Sequence, residues 1–287
     1  MPAQYERYIP WLFLLVWSSG YSMAKLALEY TLPLNLLAYR FLGAAIVVTP
    51  IILLMRLRIP KWAQIKGLIG TGIFLHLGHF GTMYIGMKLG ASANIMALFA
   101  ASQPVLIILA SAGLKRMWPS WRVWVGLALG LTGAAWVIGV DMDGQQGYLI
   151  GALLGFVAVV GMSIGQVIEK QRQLHIHPFM ATWVQYVFAA LVSVPLAVLL
   201  EGVVFTAHPA FYFSVGHLII MNTVVGIMLM FAMVRTGSMS QATAIMFLVP
   251  AVAAIIAWPV AGEVVPLVAI PGMLLAMAGA LWTRKFA

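Results

Sequence analysis

Long apolar stretches follow one another along almost the entire chain, and only short polar connections separate them. Each stretch is close to the ~20 residues that a helix needs to cross a bilayer. We therefore predict an all-α polytopic membrane protein of ten transmembrane helices with no soluble domain. The predicted spans are 9–29, 33–55, 64–87, 91–113, 121–140, 147–169, 178–200, 211–234, 240–261 and 264–283.

The spans form two copies of an internal repeat. Four residues of the first copy return at an offset of 145 residues: Gly20, Lys25, Pro33 and Pro50 become Gly165, Lys170, Pro178 and Pro195. Later in the repeat the offset drifts, and Pro104 returns as Pro250 at 146 residues. Five spans per copy predict that the second repeat is inverted in the membrane, as in many secondary transporters. The predicted repeats are 1–141 and 142–287.

The composition agrees with a membrane protein and limits its chemistry. Hydrophobic residues make up 63% of the 287 residues and charged residues only 8%. The chain has no cysteine, which excludes disulfides, thiolate metal sites and thiol catalysis. No cleavable signal peptide is expected, because Tyr5, Glu6 and Arg7 lead directly into a full-length span.

The positions of the basic residues predict the orientation. With the N-terminus inside, thirteen of the sixteen Lys and Arg residues fall on the cytoplasmic side, Lys25 and Lys88 fall outside, and Arg40 lies within a span. This distribution follows the positive-inside rule and places both termini in the cytoplasm. The net charge of +9 is thus explained by topology and by attraction to anionic lipid, and nucleic-acid binding is not expected.

Charged residues inside the spans are few. No carboxylate is predicted at mid-membrane, where proton- and sodium-coupled pumps usually keep one. Arg40 lies seven residues into the second span, roughly 10 Å deep at about 1.5 Å per residue. We expect it to extend outwards, to pair with Glu29 or to face water, and we favour a structural role at the outer rim over contact with a substrate.

Polar residues within the spans are candidates for a binding site. Ser18 in the first span and Ser163 with Gln166 in the sixth occupy related regions of the two repeats. Such residues either allow close helix packing or line a cavity, and their recurrence favours a cavity.

His76, His79 and Met83 share one face of the third span. A metal site is disfavoured, because no carboxylate or thiol is near; a buried, hydrogen-bonded histidine and a cavity-facing histidine both remain open.

Two prolines fall near the middle of symmetry-related spans. Pro104 removes a backbone hydrogen bond and frees the carbonyl of Ala100, and Pro250 repeats this in the ninth span. Either the prolines allow a gating bend or they form static kinks that shape packing.

Glycines at four-residue spacing in the fifth and sixth spans predict close-packing faces. They are Gly126, Gly130, Gly147, Gly151 and Gly155.

No sequence motif for hydrolysis, phosphate binding or metal catalysis is present, so no enzyme activity and no cofactor are expected.

The order of several residues resembles a known family. The run Trp17-Ser18-Ser19-Gly20, followed by Lys25, Pro33 and Arg40-Phe41, is similar to the EamA-type repeat of the drug/metabolite transporter superfamily. The segment from Gly90 to Pro104 and its partner from Gly237 to Gly262-Glu263 resemble the closing half of that repeat. Within the superfamily the chain is most similar to the aromatic amino acid exporter branch, called YddG.

The resemblance implies outward transport of amino acids across a bacterial inner membrane by alternating access. It also implies a central cavity built by spans 1, 3, 4, 6, 8 and 9. Aromatic and methionine side chains would contact bulky apolar groups, while hydroxyls, amides and His79 would bind the ammonium and carboxylate of an amino acid. The predicted substrate-binding residues are Trp17, Ser18, Tyr21, His79, Met83, Phe99, Gln103, Ser163, Gln166, Asn222 and Met246, and the predicted hinges are Pro104 and Pro250.

Other functions remain alternatives. The same architecture could export drugs, organic cations or nucleotide sugars, although Arg40 alone provides little positive charge for a nucleotide. A membrane-embedded enzyme would need a nucleophile–base pair or a metal cluster in the spans, and the sequence shows none. A purely structural membrane protein is disfavoured by the paired polar residues and prolines. The expected partners are the small-molecule substrate and membrane lipid, and the expected state is a monomer.

Overall fold

The computed structural model describes residues 8–116, 118–141, 146–172, 176–236 and 248–286. These residues form ten helical units, which we number α1 to α10 in chain order. The first five are α1 Ile9–Ala27, α2 Pro33–Leu54, α3 from Trp62 to Lys88, α4 in two segments Ala93–Ala100 and Gln103–Lys115, and α5 Trp121–Asp141. The others are α6 Gln146–Arg172, α7 Pro178–Leu200, α8 from Pro209 to Thr236, α9 Val249–Ala261 and α10 Ile270–Phe286.

The helices confirm an all-α protein with many membrane-length segments. Within the described residues, six helices (α2, α3, α5, α6, α7 and α8) are long and apolar enough to cross a membrane, and the two segments of α4 together would make a seventh. Helices α9 and α10 are shorter apolar helices. The predicted start of the last span at residue 264 is wrong, because Pro266 precedes only a 3-10 turn at Leu267–Ala269 and the α-helix begins at Ile270. Proline lacks the N–H that a helix needs and disfavours helical backbone in the preceding residue.

Two helices contain a π-helical turn that the apolar pattern did not predict. In α3 it covers Ile73–Gly78, and in α8 it covers Ile220–Val225. Both turns are six residues long, and they are related by the offset of 147 residues between the repeats. Short π-helical turns inside α-helices occur frequently at functional sites.

Helix α4 is broken in the middle, which confirms the predicted kink at Pro104. Its two segments meet at an angle of 49°, and Pro104 is the second residue of the second segment. Pro250 is likewise the second residue of α9. The second segment of α4 and helix α9 are both 13 residues long, and the residue that caps the C-terminus of each has left-handed backbone, Arg116 and Gly262 respectively. The first part of the predicted ninth span, residues 240–247, lies outside the described residues.

Several contacts between the repeats occur in reciprocal pairs. A Cβ atom on Gly20 in α1 would lie 2.7 Å from Nδ2 of Asn222 in the π turn of α8. A Cβ atom on Gly165 in α6 would lie 2.8 Å from Cγ of Leu75 in the π turn of α3. Gly165 is the copy of Gly20, and Asn222 is the copy of Leu75. Matched contacts of this kind are what a two-fold axis produces.

The same reciprocity holds between α5 and α10. Gly126 packs on Gly279, and Gly133 packs on Gly272, the copy of Gly126. A Cβ atom on Gly126 would lie 2.7 Å from the carbonyl oxygen of Gly279, so the absence of a side chain allows the two backbones to approach. This contact confirms the predicted packing role of Gly126.

Carboxylates fix two helix N-termini at one end of the bundle. Glu201, just after α7, accepts hydrogen bonds from the backbone N–H groups of Leu34 and Asn35 at 3.1 and 3.0 Å. Glu263, just after α9, accepts from those of Ala93 and Asn94 at 2.9 and 3.2 Å. Negative charge is favourable at a helix N-terminus, so each carboxylate links a helix of the second repeat to one of the first.

Candidate functional site

A small internal cavity lies where three helices of the first repeat meet α8 of the second. Its volume is about 30 Å³, enough for one or two water molecules. We call it the central cavity. Its lining residues are Trp17, Gly20 and Tyr21 from α1, Arg40 from α2, His79, Phe80 and Met83 from α3, and Asn222 from α8.

Asn222 enters the cavity from the π turn of α8 and binds the backbone of α1. Its Nδ2 donates a hydrogen bond to the carbonyl oxygen of Val16 at 2.6 Å. Gly20, one turn further along α1, leaves the space that the amide occupies. The Oδ1 atom of Asn222 is buried and has no hydrogen-bond partner among the described residues. The amide is therefore held by its nitrogen, and its oxygen remains available as an acceptor.

His79 is held in a defined orientation directly after the π turn of α3. Its Nδ1 lies 3.0 Å from the carbonyl oxygen of Ala158 in α6. Because a carbonyl can only accept, Nδ1 carries the proton, and Nε2 of the neutral ring is an acceptor. His76, on the same helix, instead bonds through Nε2 to Oε1 of Gln185 in α7 at 3.0 Å. The two histidines thus have different roles, and only His79 lines the central cavity.

Arg40 lies in the cavity wall, so the expectation that it reaches the outer rim or pairs with Glu29 is wrong. Its side chain is only 4% exposed. Nη1 donates a hydrogen bond of 2.6 Å to Oη of Tyr84, and the guanidinium lies 3.9 Å from the ring centroid of Phe80. The depth predicted from the sequence is compatible with this position, but the direction of the side chain depends on the rings that α3 presents.

Aromatic side chains of α1 form the remaining wall. Trp17 stacks on Phe13 with ring centroids 5.6 Å apart, and Tyr21 lies one turn further along the same helix. With Phe80 and Met83 they give the cavity a largely apolar surface carrying a few polar groups, the usual composition of a small-molecule site. Among the described residues, no three His, Asp or Glu side chains come together to hold a metal ion.

Five of the eleven predicted binding residues line the central cavity, namely Trp17, Tyr21, His79, Met83 and Asn222. Five others lie elsewhere. Ser18 is fully buried, Phe99 packs on Phe156 in α6, and Ser163 donates to the carbonyl oxygen of Val159 at 2.8 Å. Gln103 is buried and Gln166 is half-buried, both away from the cavity lining. Met246 lies outside the described residues.

The sequence prediction missed Gly20, Arg40 and Phe80 as cavity residues. Arg40 carried a usable signal, since an ionisable residue inside a span usually has a functional position. Phe80 follows His79 directly but carries no polar group that distinguishes it from a packing residue. Gly20 had been noted only as part of the repeat.

A larger cavity of about 250 Å³ lies at the end of the bundle, between the α2–α3 connection and the start of α7. Its polar lining comes from Arg58, Lys61, Gln64 and His177. It involves none of the predicted binding residues and lies beside helix ends, so it is less suited to transport than the central cavity.

The comparison with known proteins agrees with a transporter architecture. The model of the EamA-like transporter family matches the chain twice, over residues 8–139 and 149–284. The chain belongs to the EamA-like transporter family. The family therefore matches this EamA-like protein as two repeats, which confirms the internal duplication predicted from the sequence.

Individual relatives are distant. An uncharacterized inner membrane transporter, YedA, from Escherichia coli (strain K12) is 24% identical over 87% of this chain and 80% of its own. A probable amino-acid metabolite efflux pump from Salmonella typhimurium is 24% identical over 96% of this chain and 93% of its own. A solved crystal structure aligns with 99% of this chain and 98% of its own at a TM-score of 0.68 and 22% identity, which shows a shared fold.

Proposed function

We propose that this EamA-like protein is an inner-membrane carrier that exports amino acids, with a preference for aromatic and other large neutral ones. The observation that carries the proposal is the central cavity, which combines aromatic and methionine walls with a histidine, an amide and a guanidinium at the junction of the two repeats. Apolar walls suit a bulky side chain, and the polar groups suit the ammonium and carboxylate.

The descriptions of two relatives support the proposed inner-membrane location and the proposed amino-acid substrates. One is described as an inner membrane transporter and another as a probable amino-acid metabolite efflux pump. The positive-inside distribution of Lys and Arg supports cytoplasmic termini. We propose that the protein acts as a monomer surrounded by lipid.

The proposed mechanism is alternating access by two inverted five-helix repeats, giving ten membrane crossings. Support comes from the reciprocal contacts Gly20–Asn222 and Gly165–Leu75, and from the matched π turns. The central cavity is too small for an amino acid, because it has room for only one or two water molecules. Substrate entry therefore requires movement of one or more of the helices that line the cavity, namely α1, α2, α3 and α8, and two of these helices contain the π turns.

A transport screen in proteoliposomes tests the proposal. Purified protein is reconstituted and offered radiolabelled phenylalanine, tryptophan, methionine, an organic cation and a nucleotide sugar. We expect counterflow of the large amino acids and none of the nucleotide sugar. Transport of organic cations or nucleotide sugars without any amino acid would overturn the proposed cargo.

A further inference from the structure

Arg40 is a buried charge in the wall of the central cavity. It is 4% exposed, although it lies within a helix long and apolar enough to cross the membrane. A guanidinium has five N–H donors and stays charged throughout the physiological pH range. Nη1 donates to the hydroxyl of Tyr84, while Nε is buried and has no hydrogen-bond partner among the described residues. The binding capacity of the guanidinium is therefore only partly used.

The groups around the guanidinium are neutral. They are the phenols of Tyr84 and Tyr186 and the ring of Phe80. No Asp or Glu among the described residues pairs with Arg40. A buried charge without a counter-charge costs several kcal/mol, and proteins normally pair it or neutralise it. Phenol hydrogen bonds and stacking on Phe80 reduce this cost but supply no negative charge.

Two polar groups elsewhere in the cavity lining can act as acceptors. Oδ1 of Asn222 has no hydrogen-bond partner among the described residues, and Nε2 of His79 is left as an acceptor by the bond that Nδ1 donates to Ala158. Both can receive an N–H donor, but neither carries charge. Its described lining therefore places these two neutral acceptors, together with the N–H of Trp17 and the hydroxyl of Tyr21, in the same cavity as the positive charge of Arg40.

We propose that Arg40 is the specificity-determining residue of this cavity, and that it selects substrates carrying one carboxylate. This role of Arg40 rests on the proposed function, because it takes the central cavity to be the site that binds the transported substrate. The planar fork of the guanidinium matches the two oxygens of a carboxylate. The carboxylate provides the counter-charge that Arg40 does not find among the described residues, while an ammonium adds hydrogen bonds to neutral acceptors.

A ranking of ligands follows from this distribution of charge. A compound with a carboxylate and no ammonium retains much of its binding, because the charged contact is kept. A compound with an ammonium and no carboxylate is repelled by Arg40 in a site of low dielectric constant. Organic cations are thus poor substrates for this cavity.

Four ligands that share one side chain test the ranking. They are L-phenylalanine, 3-phenylpropionate, L-phenylalaninamide and phenethylamine. Displacement of radiolabelled phenylalanine and phenylpropionate is measured in detergent, and counterflow is measured in liposomes. We expect both acids to bind the native protein, and the amide and the amine to bind at least about tenfold more weakly, the range for a lost hydrogen bond to a charged group.

Three variants separate recognition from structure. Arg40→Gln should lose about 10- to 100-fold in binding of the acids and little in binding of the amide, which removes the preference. Arg40→Lys keeps the positive charge but not the planar pair of N–H donors, and should retain part of the preference for acids over the amide. Tyr84→Phe removes the hydroxyl that contacts Nη1, and should lower thermal stability while preserving the preference for acids. Monodisperse elution of each variant shows that it is folded.

The outcomes distinguish this inference from the proposed function. If Arg40→Gln weakens acids and amide equally, or if the native protein binds no acid, the role of Arg40 is overturned. If the native protein carries phenylpropionate but no amino acid, and Arg40→Gln abolishes that transport, the proposed cargo fails while the role of Arg40 stands. If it carries phenethylamine and no acid, both are wrong.

Discussion

Lys25 and Lys88 each bind the C-terminal end of the helix that carries the other. Nζ of Lys25 donates hydrogen bonds to the carbonyl oxygens of Met87 and Ala91, at 3.1 and 3.0 Å. Nζ of Lys88 donates to those of Leu28 and Thr31, at 2.7 and 3.3 Å. A cation at a helix C-terminus is stabilised by the free carbonyls and by the helix dipole. This exchange holds together the ends of α1 and α3, two helices that line the central cavity.

Replacing either lysine should loosen this end of the protein. Lys25→Gln and Lys88→Gln each remove hydrogen bonds from a charged donor, worth about 1.5–3 kcal/mol in favourable cases. We expect a lower melting temperature in detergent for each variant. The double variant should lose less than the sum, because both lysines hold the same pair of helix ends.

Lys170 provides the control, since it is the copy of Lys25 in the second repeat and its side chain makes no hydrogen bond like those of Lys25 and Lys88 among the described residues. Lys170→Gln should leave the melting temperature nearly unchanged. If all three single variants lower the melting temperature equally, the hydrogen bonds of Lys25 and Lys88 to the helix ends make no specific contribution to stability.

The predicted orientation can be tested with two introduced thiols, since the chain has no cysteine. Val203 is 68% exposed and follows the C-terminus of α7, while Lys61 is exposed beside the N-terminus of the same helix. The two positions are separated by the length of α7, 23 residues or roughly 34 Å. Val203→Cys should react with an impermeant maleimide from outside intact cells, and Lys61→Cys only after the membrane is opened. The reverse pattern would show that the termini are outside.

The glycine contact between α5 and α10 should tolerate no added methyl group. A Cβ atom on Gly133 would lie 2.5 Å from the backbone nitrogen of Ala276, and backbone cannot move aside without separating the helices. Gly133→Ala should therefore cost about 1–3 kcal/mol, the usual range for overpacking. Gly139 in the same helix has no atom within 4 Å of that position, so Gly139→Ala should be neutral or slightly stabilising. Equal melting temperatures for the two variants would contradict this packing.

The apolar pattern was sufficient for most of the fold. Membrane-length runs and the repeat located the helices within a few residues, and α7 begins and ends at the predicted positions. The π turns were not predictable, because an inserted residue leaves no apolar signal. Each π turn packs on a glycine of the other repeat, Leu75 on Gly165 and Asn222 on Gly20, so it depends on contacts between distant parts of the chain.

The candidate site was only partly predictable for a related reason. Spacing along a helix shows which residues share a face, and of the three residues grouped on the third span, His79 and Met83 lie in the cavity wall while His76 bonds to Gln185. It does not show which neighbour that face meets. Phe99 was predicted to bind substrate from the fourth span, but its ring packs on Phe156 of α6. Arg40 was misplaced because the guanidinium binds Tyr84 and Phe80, which are forty or more residues away.

Pro104 and Pro250 have the same position in their helices, each as the second residue of a 13-residue segment. Before Pro104 the chain bends by 49°, since a proline cannot supply the hydrogen bond that would continue the first segment of α4. Alanine at that position allows a continuous helix and so makes bending more costly. In inverted repeats, bending at one proline would open one side of the cavity while bending at its copy would open the other.

We expect Pro104→Ala and Pro250→Ala to slow counterflow while expression and substrate affinity stay close to those of the native protein. The accessibility of a thiol at each end of the bundle should shift in opposite directions in the two variants, because the helices that carry them are related by inversion. Pro50, inside α2, is a matched control, since it also interrupts a helix but has no break before it. Pro50→Ala should leave the balance of accessibility unchanged. Native turnover and unchanged accessibility in both Pro104→Ala and Pro250→Ala would show that these prolines serve packing alone.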